Sequence, residues 1–167
     1  SRGPVSPFYL KPEIVAPGAY INTTQNNEGY NIASGTSYAA PHVSGAAALL
    51  LQKNPELTHH EIKSLLLTTT EPVSDAYGKE FSILEAGSGR LNIGNAFNAN
   101  LIILPPNFVA SVSADNLEFT KQFELRLING SLDGLEVIFE GPIFIDFSYF
   151  LEGGILQIKG KMNEENF

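Results

Sequence analysis

Ser34 to Gln52 reads SGTSYAAPHVSGAAALLLQ. It opens on small residues, three of them hydroxylated, and passes without a break into an apolar run. From Ser37 to Gln52 apolar residues occupy nearly every helical face. That pattern predicts a helix buried all round, as a central helix against a sheet is. Lys53-Asn54-Pro55 marks its end, because the residue before a proline is pushed out of helical geometry. A helix N-terminus leaves backbone N–H groups without partners and concentrates positive potential, which stabilises an oxyanion. Ser37 stands where that potential is strongest. Its hydroxyl becomes a competent nucleophile only if a base takes its proton, and its backbone N–H is placed to help hold a tetrahedral oxyanion. Gly35 allows the chain to bend just before it. Pro41 lacks an N–H for the Ser37 carbonyl and loosens the first turn. Ordinary helix capping by Ser and Thr explains the same residues without any chemistry.

Outward from this stretch, Ser1 to Tyr30 is rich in Gly, Pro and Asn, with apolar patches such as Ile14-Val15-Ala16 cut off by Pro17-Gly18. These read as short strands joined by turns, and Tyr30 to Ala33 as one more extended segment. A second helix has clear start signals: Thr58 as N-cap, Glu61 as its capping-box partner, and Leu57 with Ile62 as a hydrophobic staple. It must end before Pro72. A polar loop leads to Gly87-Ser88-Gly89, and a short helix follows over about Ile93 to Ala99. Beyond Leu101-Ile102-Ile103-Leu104-Pro105-Pro106 the pattern changes to alternation. Phe108 to Val112, Gln122 to Leu127, Leu135 to Glu140, Ile143 to Leu151 and Ile155 to Lys159 read as antiparallel strands, with Asn129-Gly130 as a turn.

The composition narrows the function classes. A net charge of −8 and a pI near 4.8 argue against nucleic acid or an anionic membrane surface as partner. Residues 1–100 hold 6 basic against 8 acidic side chains, and residues 101–167 hold 4 against 10, which marks a boundary. With no cysteine there is no disulfide scaffold, thiolate zinc site or cysteine nucleophile. No basic stretch followed by an apolar core opens the chain, and no apolar run is long enough to cross a bilayer. The start at Ser1-Arg2-Gly3-Pro4 reads like the middle of a longer chain.

Gly35 to Gly45, GTSYAAPHVSG, closely resembles the segment around the catalytic serine of the subtilisin-like serine proteases, the subtilases. Ser1 to Pro4 and Lys11 to Gly18 resemble the stretch leading to that serine, and Gly87 to Asn92 the return of the chain before the last helix of the catalytic domain. The resemblance implies an α/β fold. Residues 1–100 would be the C-terminal part of a subtilisin-like parallel-sheet domain with a buried central helix. Residues 101–167 would begin a partial antiparallel β-sandwich of fibronectin type III-like kind. It also implies peptide-bond hydrolysis through an acyl-enzyme on Ser37, whose backbone N–H donates to the oxyanion. The family's Asp, His and oxyanion Asn precede the serine in chain order, so they would be supplied from before Ser1 and this chain alone would be inactive. The expected partners are a polypeptide substrate and that N-terminal part, with oligomerisation or element swapping through the exposed apolar helix face of Ala39, Val43, Ala46 and Leu50. No cofactor is required, structural calcium is compatible with the family, and the location implied is extracellular or cell-surface. Tyr38 stands where the family often has Met. The competing reading is a non-catalytic binding or structural fragment, either a pseudoprotease remnant or a processed half that docks on another chain.

No other residue has a claim on the serine. His42 follows Ser37 by five positions, which at about 100° per residue turns it off the serine's face. His59 and His60 fall in the first turn of the second helix, where solvent contact explains them, and Asp75 reads as a turn former. Asp115, Glu118, Asp133 and Glu136 could serve calcium, but their spacing matches no calcium loop, and a solvated acidic face is the simpler reading. Phe139, Phe144, Phe147, Tyr149 and Phe150 are read as core packing rather than a ligand platform. Asn22-Thr23-Thr24 and Asn129-Gly130-Ser131 fit the glycosylation sequon, a short and often accidental pattern.

Overall fold

The structure, a computed structural model, describes residues 10–26, 28–110, 117–132, 136–138 and 145–162. The chain divides into two compact units, Ser1–Ala99 and Asn100–Phe167. In the first, strands β1 (Ile21–Gln25) and β2 (Gly29–Ala33) form an antiparallel hairpin in the register Ile21↔Ala33 to Gln25↔Gly29. Four helices follow: α1 (Thr36–Lys53), α2 (His59–Thr68), α3 (Ile83–Ala86) and α4 (Ile93–Asn98).

The expected capping box of α2 is seen. Thr58 accepts from the Glu61 N–H while the Glu61 carboxylate accepts from the Thr58 N–H, and Leu57 and Ile62 are both buried. Asn92 caps α4 in the same manner, accepting from the Asn95 N–H at 2.8 Å. Helices α1, α2 and α4 pack on one another. Ala46, Leu50, Ile62, Leu65, Leu66, Leu67 and Ala96 are the buried apolar residues of these three helices. Lys53 lies over the Phe97 ring at 4.3 Å and donates to the Phe97 carbonyl, fixing the last turn of α1 beside α4.

The expectation that α1 is buried all round is not met. Only Ala46 and Leu50 on α1 are buried, while Leu49 and Leu51 are 44% and 41% exposed. The cause is that α2 and α4 cover one side of the helix. On another side Ala39, Ala40 and Val43 line an open apolar cavity of about 490 Å³ with Pro12, Ile14, Val15 and Ala16. Of the four residues expected on an exposed face, Ala46 and Leu50 are therefore inside. The parallel sheet expected against the helix is not among the described residues either. Both described sheets are antiparallel, and the single parallel pairing described is the isolated bridge between Val15 and Arg90.

That bridge belongs to a three-segment seam. The Val15 N–H donates to Gly89 O (3.0 Å), Leu91 N–H to Val15 O (2.8 Å) and Ser88 N–H to Glu13 O (2.9 Å). On the other side Arg90 and Glu71 exchange both backbone bonds, at 2.7 and 2.9 Å. A Cβ on Gly89, whose φ is +127°, would run into the Glu71 carbonyl, so only glycine lets the chain pass between its two neighbours. The Glu71 carboxylate accepts from Arg90 (2.6 Å) and Asn92 (2.5 Å) and is held below the ordinary carboxylate range, mainly by the Arg90 hydrogen bond.

In the second unit β3 (Leu101–Leu104), β4 (Glu118–Leu127), β5 (Ile145–Glu152) and β6 (Ile155–Met162) form an antiparallel sheet in the order β3-β4-β6-β5. Alternation along β4 puts Phe123 and Leu125 inside and Gln122, Glu124 and Arg126 outside. Phe123, Leu125 and Leu156 form the core, with Leu101, Ile103, Leu132, Val137, Leu151 and Ile158 against it. Gly153 and Gly154, both at positive φ, make the two-residue turn between β5 and β6. Leu101 to Leu104, a stretch to which the sequence pattern assigns no strand, is itself a strand paired with Glu124 to Leu127.

Several expectations for this unit change. Residues 108–110 and 136–138 are not in strands, and residues 111–112, 135 and 139–140 lie outside the described residues. A second sheet facing the first, which a sandwich needs, is not among the described residues. Phe139 and Phe144 also lie outside them. Phe147 is half-buried against Phe119, but Tyr149 and Phe150 are 46% and 59% exposed rather than in the core. Neighbouring strand residues point to opposite faces, so Phe150 faces away from the covered side, while Tyr149 shares the face of Phe147 and Leu151 and still stays partly open to solvent. Glu118 pairs with Lys161 at 3.6 Å and Glu136 is exposed, while Asp115 and Asp133 lie outside the described residues.

Glu13 ties the chain before β1 to α2, with Lys11 and Lys63 each 2.5 Å from its carboxylate. Burial pushes that carboxyl up, but hydrogen bonds from the two lysines outweigh it and hold it below its ordinary value of 4.5. A carboxylate held low adds stability that is fully present above the ordinary value and is lost as pH falls through the lowered one. Urea unfolding should show stability declining as the pH drops below about 4.5, and Glu13→Gln should flatten that decline. Identical acid limbs for the two chains would contradict the pairing.

Candidate active site

The N-terminus of α1 is assembled by three local constraints. Strand β2 delivers the chain to Ser34, and Gly35 follows nearly fully extended at φ 158° and ψ 160° as the N-cap. The Gly35 N–H donates to the Gly18 carbonyl at 2.7 Å, and the Ser34 hydroxyl accepts from the Tyr20 N–H at 2.9 Å. The turn is thus clamped at Ser34 and Gly35 to Tyr20 and Gly18. A Cβ on Gly18 would lie 2.8 Å from the Gly35 carbonyl oxygen and 3.1 Å from the Ala39 Cβ, so the close approach requires glycine.

No side chain caps α1. Ser34 is occupied by Tyr20, and among the described residues neither the Ser37 hydroxyl nor its backbone N–H makes a hydrogen bond. Ser37 is exposed. The capping explanation for its hydroxyl is therefore not realised. Pro41 removes the donor that the Ser37 carbonyl would otherwise receive within the helix. Together these leave a free hydroxyl and a free N–H at the positive end of an 18-residue helix. Such an end carries roughly half a unit charge, and its potential favours a developing oxyanion.

The other titratable candidates lie elsewhere. His42 Nδ1 is 2.9 Å from the Tyr38 carbonyl. A carbonyl only accepts, so Nδ1 carries the proton and the ring is engaged with its own helix. The His59 and His60 rings lie 4.0 Å apart, tilted by 41°, at the exposed start of α2. Asp75 accepts from the Tyr77 and Lys79 N–H groups as a turn former. None of these four makes a hydrogen bond to Ser37. Among the described residues there is no group of three or more His, Asp or Glu placed to hold a metal ion. Sequence reasoning missed Gly18, Tyr20 and Ser34 as the residues that position the turn. The signal available was Pro17-Gly18 at the end of the Lys11 to Gly18 stretch.

The chain belongs to the subtilase family, whose model matches residues 1–98. It is 38% identical over 124 residues to "Subtilisin-like protease SBT1.6" of Arabidopsis thaliana, an alignment covering 60% of this chain and 16% of that protein. It is 33% identical over 115 residues to "Minor extracellular protease Vpr" of Bacillus subtilis (strain 168), covering 65% of this chain and 14% of that one. The 167 residues thus span a small part of the length of these relatives. Among solved structures, that of the prenylagaramide maturation protease PagA matches 53% of this chain and 33% of its own at 36% identity and a TM-score of 0.46. No helix among the described residues is long and apolar enough to cross a membrane.

Gly18→Ala should lower the unfolding free energy by about 1–3 kcal/mol, the cost of forcing a methyl group into a packed contact. A urea titration reads it, and an unchanged midpoint would contradict the clamp.

Proposed function

We propose that the intact protein is a serine-type endopeptidase that hydrolyses peptide bonds through an acyl-enzyme on Ser37. The observation that carries this reading is the unengaged Ser37 hydroxyl and N–H at the uncapped start of α1, in a segment whose family is a protease family. The Ser37 oxygen attacks the substrate carbonyl carbon and its proton passes to a base. The oxyanion is held by the Ser37 N–H and a second donor. Collapse expels the amine, which takes that proton back from the base, and water then releases the acid by the same steps. The base, its orienting acid and the oxyanion asparagine belong to the region that precedes the serine in the family's chain order.

On this reading the described chain supplies the nucleophile and one oxyanion donor, and on its own it is inactive. The open face of Ala39 and Val43 beside Ile14, Val15 and Ala16 is where the rest of the catalytic domain would pack, or where a copy of the chain would associate in its absence. The substrate is a polypeptide. The relative named as an extracellular protease favours work outside the cell or at its surface. The second reading, a non-catalytic binding or structural piece, keeps the same Ser37 geometry without the chemistry.

Labelling of the intact protein with a fluorophosphonate probe separates the two. The enzyme reading expects labelling at Ser37, and Ser37→Ala should lower kcat on the order of a millionfold, the scale known for subtilisin's own nucleophile. Unchanged labelling and hydrolysis in Ser37→Ala would overturn it.

A further inference from the structure

We infer that Asn129-Gly130 is a site of spontaneous, self-catalysed covalent modification, in which the asparagine amide converts to aspartate and isoaspartate. The sequence holds a single Asn-Gly pair. It lies just beyond β4, where the Ile128 N–H donates to Asn100 O at 2.8 Å and anchors the strand end. Asn129 and Gly130 stand between that anchor and Leu132, which packs against the core of the sheet. Asn129 and Gly130 are both exposed, and among the described residues neither makes a hydrogen bond. Gly130 has φ +101°, and a Cβ built on it would meet nothing within 4 Å. The reaction needs these conditions: a backbone nitrogen not committed to a carbonyl, a side-chain amide in water, and a backbone free to rotate the two together. The other asparagines lack the glycine. Asn22, for example, lies in β1, paired opposite Ile32.

In the step itself, the Gly130 backbone nitrogen loses its proton and attacks the Asn129 side-chain amide carbon. A five-membered succinimide forms and ammonia leaves with the proton it takes up. Water then adds to one of the two ring carbonyls. Opening at one side gives aspartate with the normal backbone, and opening at the other gives isoaspartate, which carries the backbone through the side-chain carbon. No oxidant or reductant takes part, and water is the only co-reactant. Each conversion adds one negative charge to a segment that already holds 4 basic against 10 acidic residues. The isoaspartate form also lengthens the backbone by one methylene directly after β4.

Peptide mapping by mass spectrometry, with enzymatic methylation to mark isoaspartate, tests this on the full 167-residue chain held in mildly alkaline buffer. The expected result is a mass gain and methyl acceptance confined to the peptide holding Asn129, rising with pH. Asn129→Gln, which keeps an exposed amide but requires a six-membered ring, should slow the conversion severalfold without disturbing the fold. The urea-unfolded chain serves as reference. An Asn129 that stays intact in the folded chain while it converts in the unfolded one would overturn the inference, as would conversion of other asparagines at the same rate.

Discussion

One backbone hydrogen bond, from the Gly35 N–H to the Gly18 carbonyl at 2.7 Å, sets the state of the helix start on which the functional reading rests. A helix end ordinarily satisfies its first N–H groups with a side chain. Thr58 and Asn92 do so for α2 and α4, and Ser82 with Glu85 forms a capping box at α3. Helix α1 starts without such a cap although three hydroxyl residues stand beside it. Its turn is instead fixed from outside, by Gly18 and by the Tyr20 N–H on the Ser34 hydroxyl. That arrangement fixes the turn, and although the Tyr38 N–H donates to the Gly35 carbonyl at 3.0 Å, the Ser37 N–H is left free for something other than protein.

The clamp works because glycine appears where two backbones must touch. Gly18 permits the approach to Gly35 and Ala39, and Gly89 permits the seam between Val15 and Glu71. The second contact supports the first, since the seam fixes Glu13 to Val15, a few residues before Gly18, and Glu13 is tied further to Lys63 on α2. The packed side of α1, through Ala46 and Leu50, holds the helix body still. Side chains of moderate size thus hold the scaffold, and glycines decide where its segments meet.

Much of this was legible in the residues. The α2 capping box has a side-chain signature at fixed spacing, so Thr58 and Glu61 could be read directly. Alternation in Gln122 to Leu127 has only one interpretation. The burial of α1 was misjudged because an apolar surface states that a helix seeks cover without saying what covers each face; α2 and α4 cover one side and a cavity remains on another. Leu101 to Leu104 pairs as a strand although its four apolar residues show no alternation, and prolines just past a strand end do not prevent pairing within it. Alternation turns Phe150 to the face opposite Leu151, which the residue types alone do not show. The Gly18 to Gly35 bond joins backbone groups far apart in sequence, and no side chain announces it.

Amide hydrogen exchange, resolved residue by residue in the 167-residue chain, tests the central claim most directly. The Gly35 amide should be protected by its bond to Gly18, while the Ser37 amide two residues later should exchange near the rate of an unstructured chain. A Ser37 amide as protected as that of Gly35 would mean the helix start is already satisfied from within and holds no free donor for an oxyanion.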